Sequence, residues 1–145
     1  MDDLDRAIVS LLSQDARLSL AVLSRRLKVA RSTLQARLER LESNGTIAGY
    51  TLRLGPGGRA VQIRASVLLS IEPRALAPLL SRLRAIPEVE RVNTTSGRVD
   101  LLVLVRAPST ELLDAALDQI GNIPGVKSSE SLIHLSTRLD RSTES

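Results

Sequence analysis

Val29-Ala30-Arg31-Ser32-Thr33-Leu34-Gln35-Ala36-Arg37-Leu38-Glu39-Arg40-Leu41-Glu42-Ser43-Asn44-Gly45 reads as a short helix with one apolar seam. Leu34, Leu38 and Leu41 recur at helical spacing, and Asn44-Gly45 supplies the stop, because glycine enters the left-handed turn after a helix at least cost. At about 100° per residue the three leucines define the core direction. Ser32, Ala36 and Arg40 then point away from it, with Thr33 and Gln35 on the flanks. These five side chains are expected to reach base edges in a DNA groove, although the same face also suits ordinary solvated side chains. Gln35 can bond adenine and Arg40 guanine, each pair worth about 1–3 kcal/mol of discrimination. Arg37 falls close to the core side, which marks it for an intradomain ion pair or a phosphate contact rather than base reading.

The residues before this segment supply two more helices. Leu4, Ile8, Leu11 and Leu12 give a helix from about Asp3 to Gln14, whose acidic first turn complements the helix dipole. A second helix starts after Ser19, an N-cap, and carries Leu20, Leu23 and Leu27 before a break at Lys28-Val29. Three short helices with a tight turn between the last two make a helix-turn-helix, whose final helix lies in the major groove. Beyond Gly45, Thr46 to Leu54 alternates enough to predict a strand, as a wing or a bridge to the next domain.

Charge points to a polyanionic partner for this half. From Met1 to Arg64 eleven bases face six acids, whereas from Ala65 to Ser145 nine bases face ten acids. Between Arg17 and Arg40 the bases Arg17, Arg25, Arg26, Lys28, Arg31, Arg37 and Arg40 are opposed by Glu39 alone, as phosphate neutralisation requires. Arg25, Arg26 and Arg31 are the expected backbone contacts. Tyr50 is the sole aromatic residue, so stacking platforms for single strands are missing and duplex DNA is the expected nucleic acid. The absence of Cys and a single His argue against disulfides, thiol–metal sites and metal catalysis, and no cofactor is expected. No apolar run approaches the roughly 20 residues of a membrane span, and Met1-Asp2-Asp3 is unlike a signal peptide, so a cytoplasmic protein without membrane partners is expected.

The charge break near Leu54-Gly55-Pro56-Gly57-Gly58 predicts two domains: residues 1–54 with the helix-turn-helix and trailing strand, a linker at 55–59, and a second domain over 60–145. That second domain reads as Ala60 to Ile71 strand, a helix opened by Pro73, strands at Glu88 to Thr94 and Val99 to Arg106, a helix from Ser109, and a final strand from Val126 to Leu135. A shift of 37 residues lays Leu76, Leu79, Leu80 and Leu83 on Leu113, Ala116, Leu117 and Ile120, and Ile86-Pro87-Glu88-Val89 on Ile123-Pro124-Gly125-Val126. The repeat predicts a βαββαβ, ferredoxin-like α+β domain with both helices on one sheet face. The other face, with Val67, Leu69 and part of the Leu101 to Val105 run placed on it, is apolar and predicts a homodimer at least, with a higher oligomer such as an octamer as the further assembly.

Leu4-Asp5, Ala16-Arg17-Leu18-Ser19, Arg37-Leu38-Glu39-Arg40-Leu41-Glu42, Gly45-Thr46-Ile47 and Gly49-Tyr50 fall in the order and spacing of the leucine-responsive/asparagine regulator (Lrp/AsnC) transcription factors, which the chain resembles. The family usually has Ser where Ala30 stands, at the N-cap of the recognition helix, and Glu where Val22 stands. Ser32 is the alternative cap of a shortened helix, which would remove it from the base-reading set. In the second half, Thr95-Ser96-Gly97-Arg98-Val99-Asp100 resembles the family's effector-domain signature, and Ser129 and Ser131 take the place of paired threonines in the closing strand. The resemblance implies an α-amino acid or similar small effector bound at the oligomer interface by Thr95, Ser96, Gly97, Asp100, Ser129 and Ser131. Backbone N–H groups at Ser96-Gly97 can cradle a carboxylate and Asp100 can pair with an ammonium, while a Gly-x-x-Asp hairpin is also ordinary turn chemistry.

The resulting expectation is a sequence-specific transcriptional regulator rather than an enzyme. Two alternatives stand beside it. Tetrapyrrole decarboxylases share the two-domain architecture, with His134 as the only imidazole for acid catalysis and a structural role as the plainer reading of a strand His. A DNA-organising protein of low sequence choice would show a steep salt dependence and a small specificity ratio.

Overall fold

The computed structural model describes residues 1–55, 57–58 and 60–141. Pro56 and Arg59, within the expected linker, and residues 142–145, at the end of the expected second domain, lie outside the described residues. The described residues divide into two compact units, the first holding residues 1–55 and Arg141 and the second the residues between them.

The first unit holds α1 (Asp3–Gln14), α2 (Leu20–Leu27) and α3 (Arg31–Ser43). Asp2 caps α1: its carboxylate accepts the Asp5 N–H at 2.9 Å, and the Asp5 carboxylate accepts the Asp2 N–H at 3.4 Å, so two of the helix's orphan donors are met reciprocally. Ser19 caps α2 through the Val22 N–H at 3.2 Å. Val22 stands where a capping box has its returning carboxylate, so α2 keeps only half of that device. Lys28 ends α2 in the left-handed conformation, φ 57°. The Ser24 hydroxyl donates to the Val29 carbonyl at 2.6 Å and braces the turn into α3. Ile8, Leu12, Leu23, Leu34 and Leu41 form the buried centre of the three-helix bundle.

Two expectations for this unit are corrected. Ser32 is not a cap, since α3 begins at Arg31 with Ala30 at the N-cap position and no side-chain bond to the first turn. Packing of Leu34, one turn in, holds the helix start without it. The strand expected over Thr46 to Leu54 does not form: Gly45 turns at φ 81°, the Ile47 N–H closes back on the Leu41 carbonyl at 2.9 Å, and residues 48–55 carry no ladder. An alternating pattern makes a strand only where a neighbouring strand takes its backbone groups. Tyr50 is tied instead to α3, donating its hydroxyl to Glu42 at 3.1 Å; partial burial, and then the carboxylate, push its phenol pKa up.

The second unit runs β1 (Ile63–Ile71), α4 (Leu76–Arg84), β2 (Val89–Thr94), β3 (Leu101–Ala107), α5 (Thr110–Gly121) and β4 (Val126–Ile133). The strands lie in the order β2-β3-β1-β4 with all neighbours antiparallel, the ferredoxin-like arrangement. Ala65, Val67, Leu69, Val103 and Val105 pack with Leu79, Leu83, Ala116 and Ile120 of the two helices. Val67 and Leu69, expected on the uncovered face, are therefore core residues. The leucines on the open face are Leu68, Leu102 and Leu104, whose register partners in β1 and β3 alternate with the buried set. At the start of β4, Gly125 sits at φ 100°, its carbonyl accepting the Glu72 N–H at 2.8 Å. Among the described residues no helix is long and apolar enough to cross a membrane.

Candidate nucleic-acid interface and effector site

The exposed side of α3 is set by its burial phase. Leu34 and Leu41 are fully buried and Leu38 packs beside them, so Arg31, Ser32, Thr33, Gln35 and Ala36 all stand in solvent. Four of these five are uncharged and short or amide-bearing, suited to hydrogen bonds and close approach rather than to long-range attraction. The Gln35 amide donates to Glu39 at 3.3 Å one turn on. Arg25 and Arg26, also exposed, lie in the last turn of α2 and line a shallow depression with Val22.

Arg37 and Arg40 behave differently from this set. Arg37 bonds Asp2, and its Nη1 also donates to Asp5 at 3.3 Å, as its core-side phase predicts. Arg40, expected on the outward face, turns back and donates from Nη2 to Asp5 at 2.9 Å. Its angular position lies only about 60° beyond Arg37 on the same flank, and a long side chain spans that difference. Asp5 is the residue that sequence reasoning missed: it is 2% exposed and shares the buried face of α1 with Ile8 and Leu12. An acid in an apolar stripe is the available signal, since a buried carboxylate requires partners. Around it, the Asp5 N–H and then the Arg37 guanidinium lower the Asp2 carboxyl to about 2, and Asp2 followed by Asp5 raises Arg37.

The effector residues fall in two places. Thr95 donates its hydroxyl to the Val99 carbonyl at 2.7 Å and its N–H to the Asp100 carbonyl at 3.0 Å, closing the β2–β3 hairpin. Gly97 takes φ 134° at its tip, a conformation that favours glycine. Asp100 accepts the Ile71 N–H at 2.9 Å, so its carboxylate also seals the end of β1. Ser129 and Ser131 lie on the opposite side of β1, paired in register with Leu69 and Val67. β3 and β4 flank β1 two strand spacings, or about 10 Å, apart, and the hairpin set lies at the β2–β3 side of that gap. All six residues are exposed, and within one chain they do not converge. Arg98, between them in sequence, bonds Glu130 of β4 at 3.2 Å.

These features coincide with matches to known proteins in both halves. Residues 1–42 match the AsnC-type helix-turn-helix domain and residues 64–143 the Lrp/AsnC ligand binding domain. The chain belongs to the Lrp/AsnC family of feast/famine transcriptional regulators. It is 30% identical to the HTH-type transcriptional regulator FL11 of Pyrococcus furiosus over 93% of this chain and 89% of the relative. It is 31% identical to the regulator LrpA of Mycobacterium tuberculosis over 92% and 89%. Among solved structures, the feast or famine regulatory protein of M. tuberculosis complexed with L-methionine superposes with a TM-score of 0.80 at 32% identity, covering 97% of this chain and 96% of that one. Escherichia coli AsnC, at 24% identity, shares the fold with a TM-score of 0.86.

This Lrp/AsnC chain is thus a sequence-specific DNA-binding transcriptional regulator. His134, the residue the catalytic alternative depended on, bonds the Ser66 hydroxyl through Nε2 at 2.8 Å, and its N–H meets the Arg64 carbonyl at 2.9 Å. The backbone contact continues the β1–β4 pairing one residue past Ile133, and the ring contact ties the side chain to β1, both structural roles.

Proposed function

We propose that this regulator reads duplex operator DNA as a homodimer or larger assembly, and that an amino acid bound to its ferredoxin-like unit changes that binding. In this reading Ser32, Thr33, Gln35 and Ala36 meet base edges, while Arg25, Arg26 and Arg31 neutralise phosphates. The backbone amides at the start of α3, having no side-chain cap, add donors for a phosphate. Self-association is supported by Leu68, Leu102 and Leu104 on a sheet face that its own helices leave uncovered.

One observation carries the effector reading: the likeness over nearly the whole chain to a regulator solved with L-methionine. Thr95, Ser96, Gly97, Asp100, Ser129 and Ser131 supply hydroxyls, the backbone N–H groups of a glycine turn and a carboxylate, the groups an α-amino acid needs. Their separation within one chain suits a site completed by a second copy. The test is thermal denaturation against the common amino acids, L-methionine first. A ligand at about 100 times its Kd adds about 2.7 kcal/mol to the native state. Asp100→Ala should abolish both that stabilisation and the ligand's effect on DNA affinity. If no amino acid alters stability or DNA binding, the effector reading fails.

A further inference from the structure

Asp5 connects the N-terminus of α1 to the far half of the recognition helix. We propose that it is a positioning residue that withholds Arg40 from DNA and confines sequence reading to the first two turns of α3. This rests on the DNA-binding function of the family and adds a determinant to it.

The geometry is asymmetric in a telling way. The Asp5 side chain is 3% exposed while that of Arg40 is 56% exposed. The arginine has water on one side and every freedom to leave; the carboxylate does not. A buried carboxylate stripped of its strongest partner carries a large desolvation penalty, so a phosphate competing for Arg40 must offset the loss at Asp5 as well as form its own bond.

The charge distribution agrees. Asp2, Asp5, Arg37 and Arg40 form one network of two acids and two bases. Two of the seven bases between Arg17 and Arg40 are thereby neutralised by acids that α1 brings in from outside that stretch. The bases outside this network are Arg17, Arg25, Arg26, Lys28 and Arg31, none of them later than the first residue of α3. The second half of α3 instead carries Glu39, bonded to Gln35, and Glu42, bonded to Tyr50, both of which repel phosphate. The field thus draws DNA onto the α2–α3 turn and the start of α3.

Binding to a random-sequence duplex and to a site chosen from a library, measured by fluorescence anisotropy across salt concentrations, tests this. Each phosphate contact contributes about 0.9 to the slope of log affinity against log salt. Arg40→Gln should leave the slope and the base preference unchanged, because Arg40 contacts neither. Asp5→Asn should release Arg40, steepen the slope by about 0.9 and raise affinity for the random duplex, and Asp5→Asn/Arg40→Gln should restore the wild-type slope. A merely structural Asp5 would lower all affinities without steepening the slope, which overturns the proposal. So does a loss of about 0.9 in slope, or of preference for one base, in Arg40→Gln alone. If Asp5→Asn does not fold, the Arg40→Gln arm decides.

Discussion

Replacing Gly125 with Ala should destabilise the ferredoxin-like unit by an amount that can be worked from two separate causes. Gly125 sits at φ 100°, and an L-residue in that half of conformational space costs about 1–2 kcal/mol. A Cβ built there also lies 2.5 Å from the Ala75 Cβ, well inside van der Waals contact, and overpacking of this kind costs about 1–3 kcal/mol. The sum is roughly 2–5 kcal/mol, or a fall in Tm of at least about 8 °C for a unit of this size. The two terms separate in a double-mutant cycle, because Ala75 occupies the N-cap of α4, where Gly is tolerated. Gly125→Ala/Ala75→Gly should recover the overpacking share and leave the φ share. Urea denaturation followed by circular dichroism gives all four free energies. Costs that simply add, or a loss under about 1 kcal/mol in Gly125→Ala, would refute the reasoning.

The remaining predictions concern charge, assembly and DNA. Asp2 titrates at about 2 against an ordinary 3.8, so its contribution to folding is complete above 3.8 and lost as pH falls through about 2; carboxyl NMR of Asp2 should show this midpoint. Arg37→Gln should raise it only part of the way, because the Asp5 N–H bond is the larger cause, and full return to 3.8 would contradict that order. Leu104→Glu should shift sedimentation toward the monomer by placing a charge on the uncovered sheet face, whereas unchanged sedimentation would locate the interface elsewhere. Arg26→Ala should weaken operator and random duplexes alike and reduce the salt slope by about 0.9, while Gln35→Ala should relax preference at one base position; a uniform loss for Gln35→Ala would remove it from the reading set.

Much of this architecture was legible where local chemistry and tertiary packing agree. The α1 bounds, the Ser19 cap and the 37-residue repeat all stem from short-range signals. The sheet phase did not, because β1 is apolar on both faces: Leu68 stands between Val67 and Leu69 in a run whose alternation has no visible contrast. The strand over Thr46 to Leu54 failed for a non-local reason, the lack of a partner. In the candidate interface the periodicity of α3 gave the exposed residues correctly, and Arg37 fell on the core side as observed. Arg40 escaped because a helical angle locates Cβ and not the end of a six-atom side chain. Its true partner was recoverable only by asking why an acid, Asp5, occupies the stripe of Ile8 and Leu12.

Lys28 gives the helix-turn-helix an evolutionary and engineering dimension. It is the only non-glycine residue at positive φ among the described residues, in a conformation that glycine would adopt about 1–2 kcal/mol more cheaply. Lys28→Gly is therefore a candidate thermostabilising substitution that also deletes a cation from the turn onto which the proposed field draws DNA. A library selected for heat resistance alone should enrich it, and one selected for promoter occupancy should purge it. The turn holds durability and occupancy in opposition at a single codon.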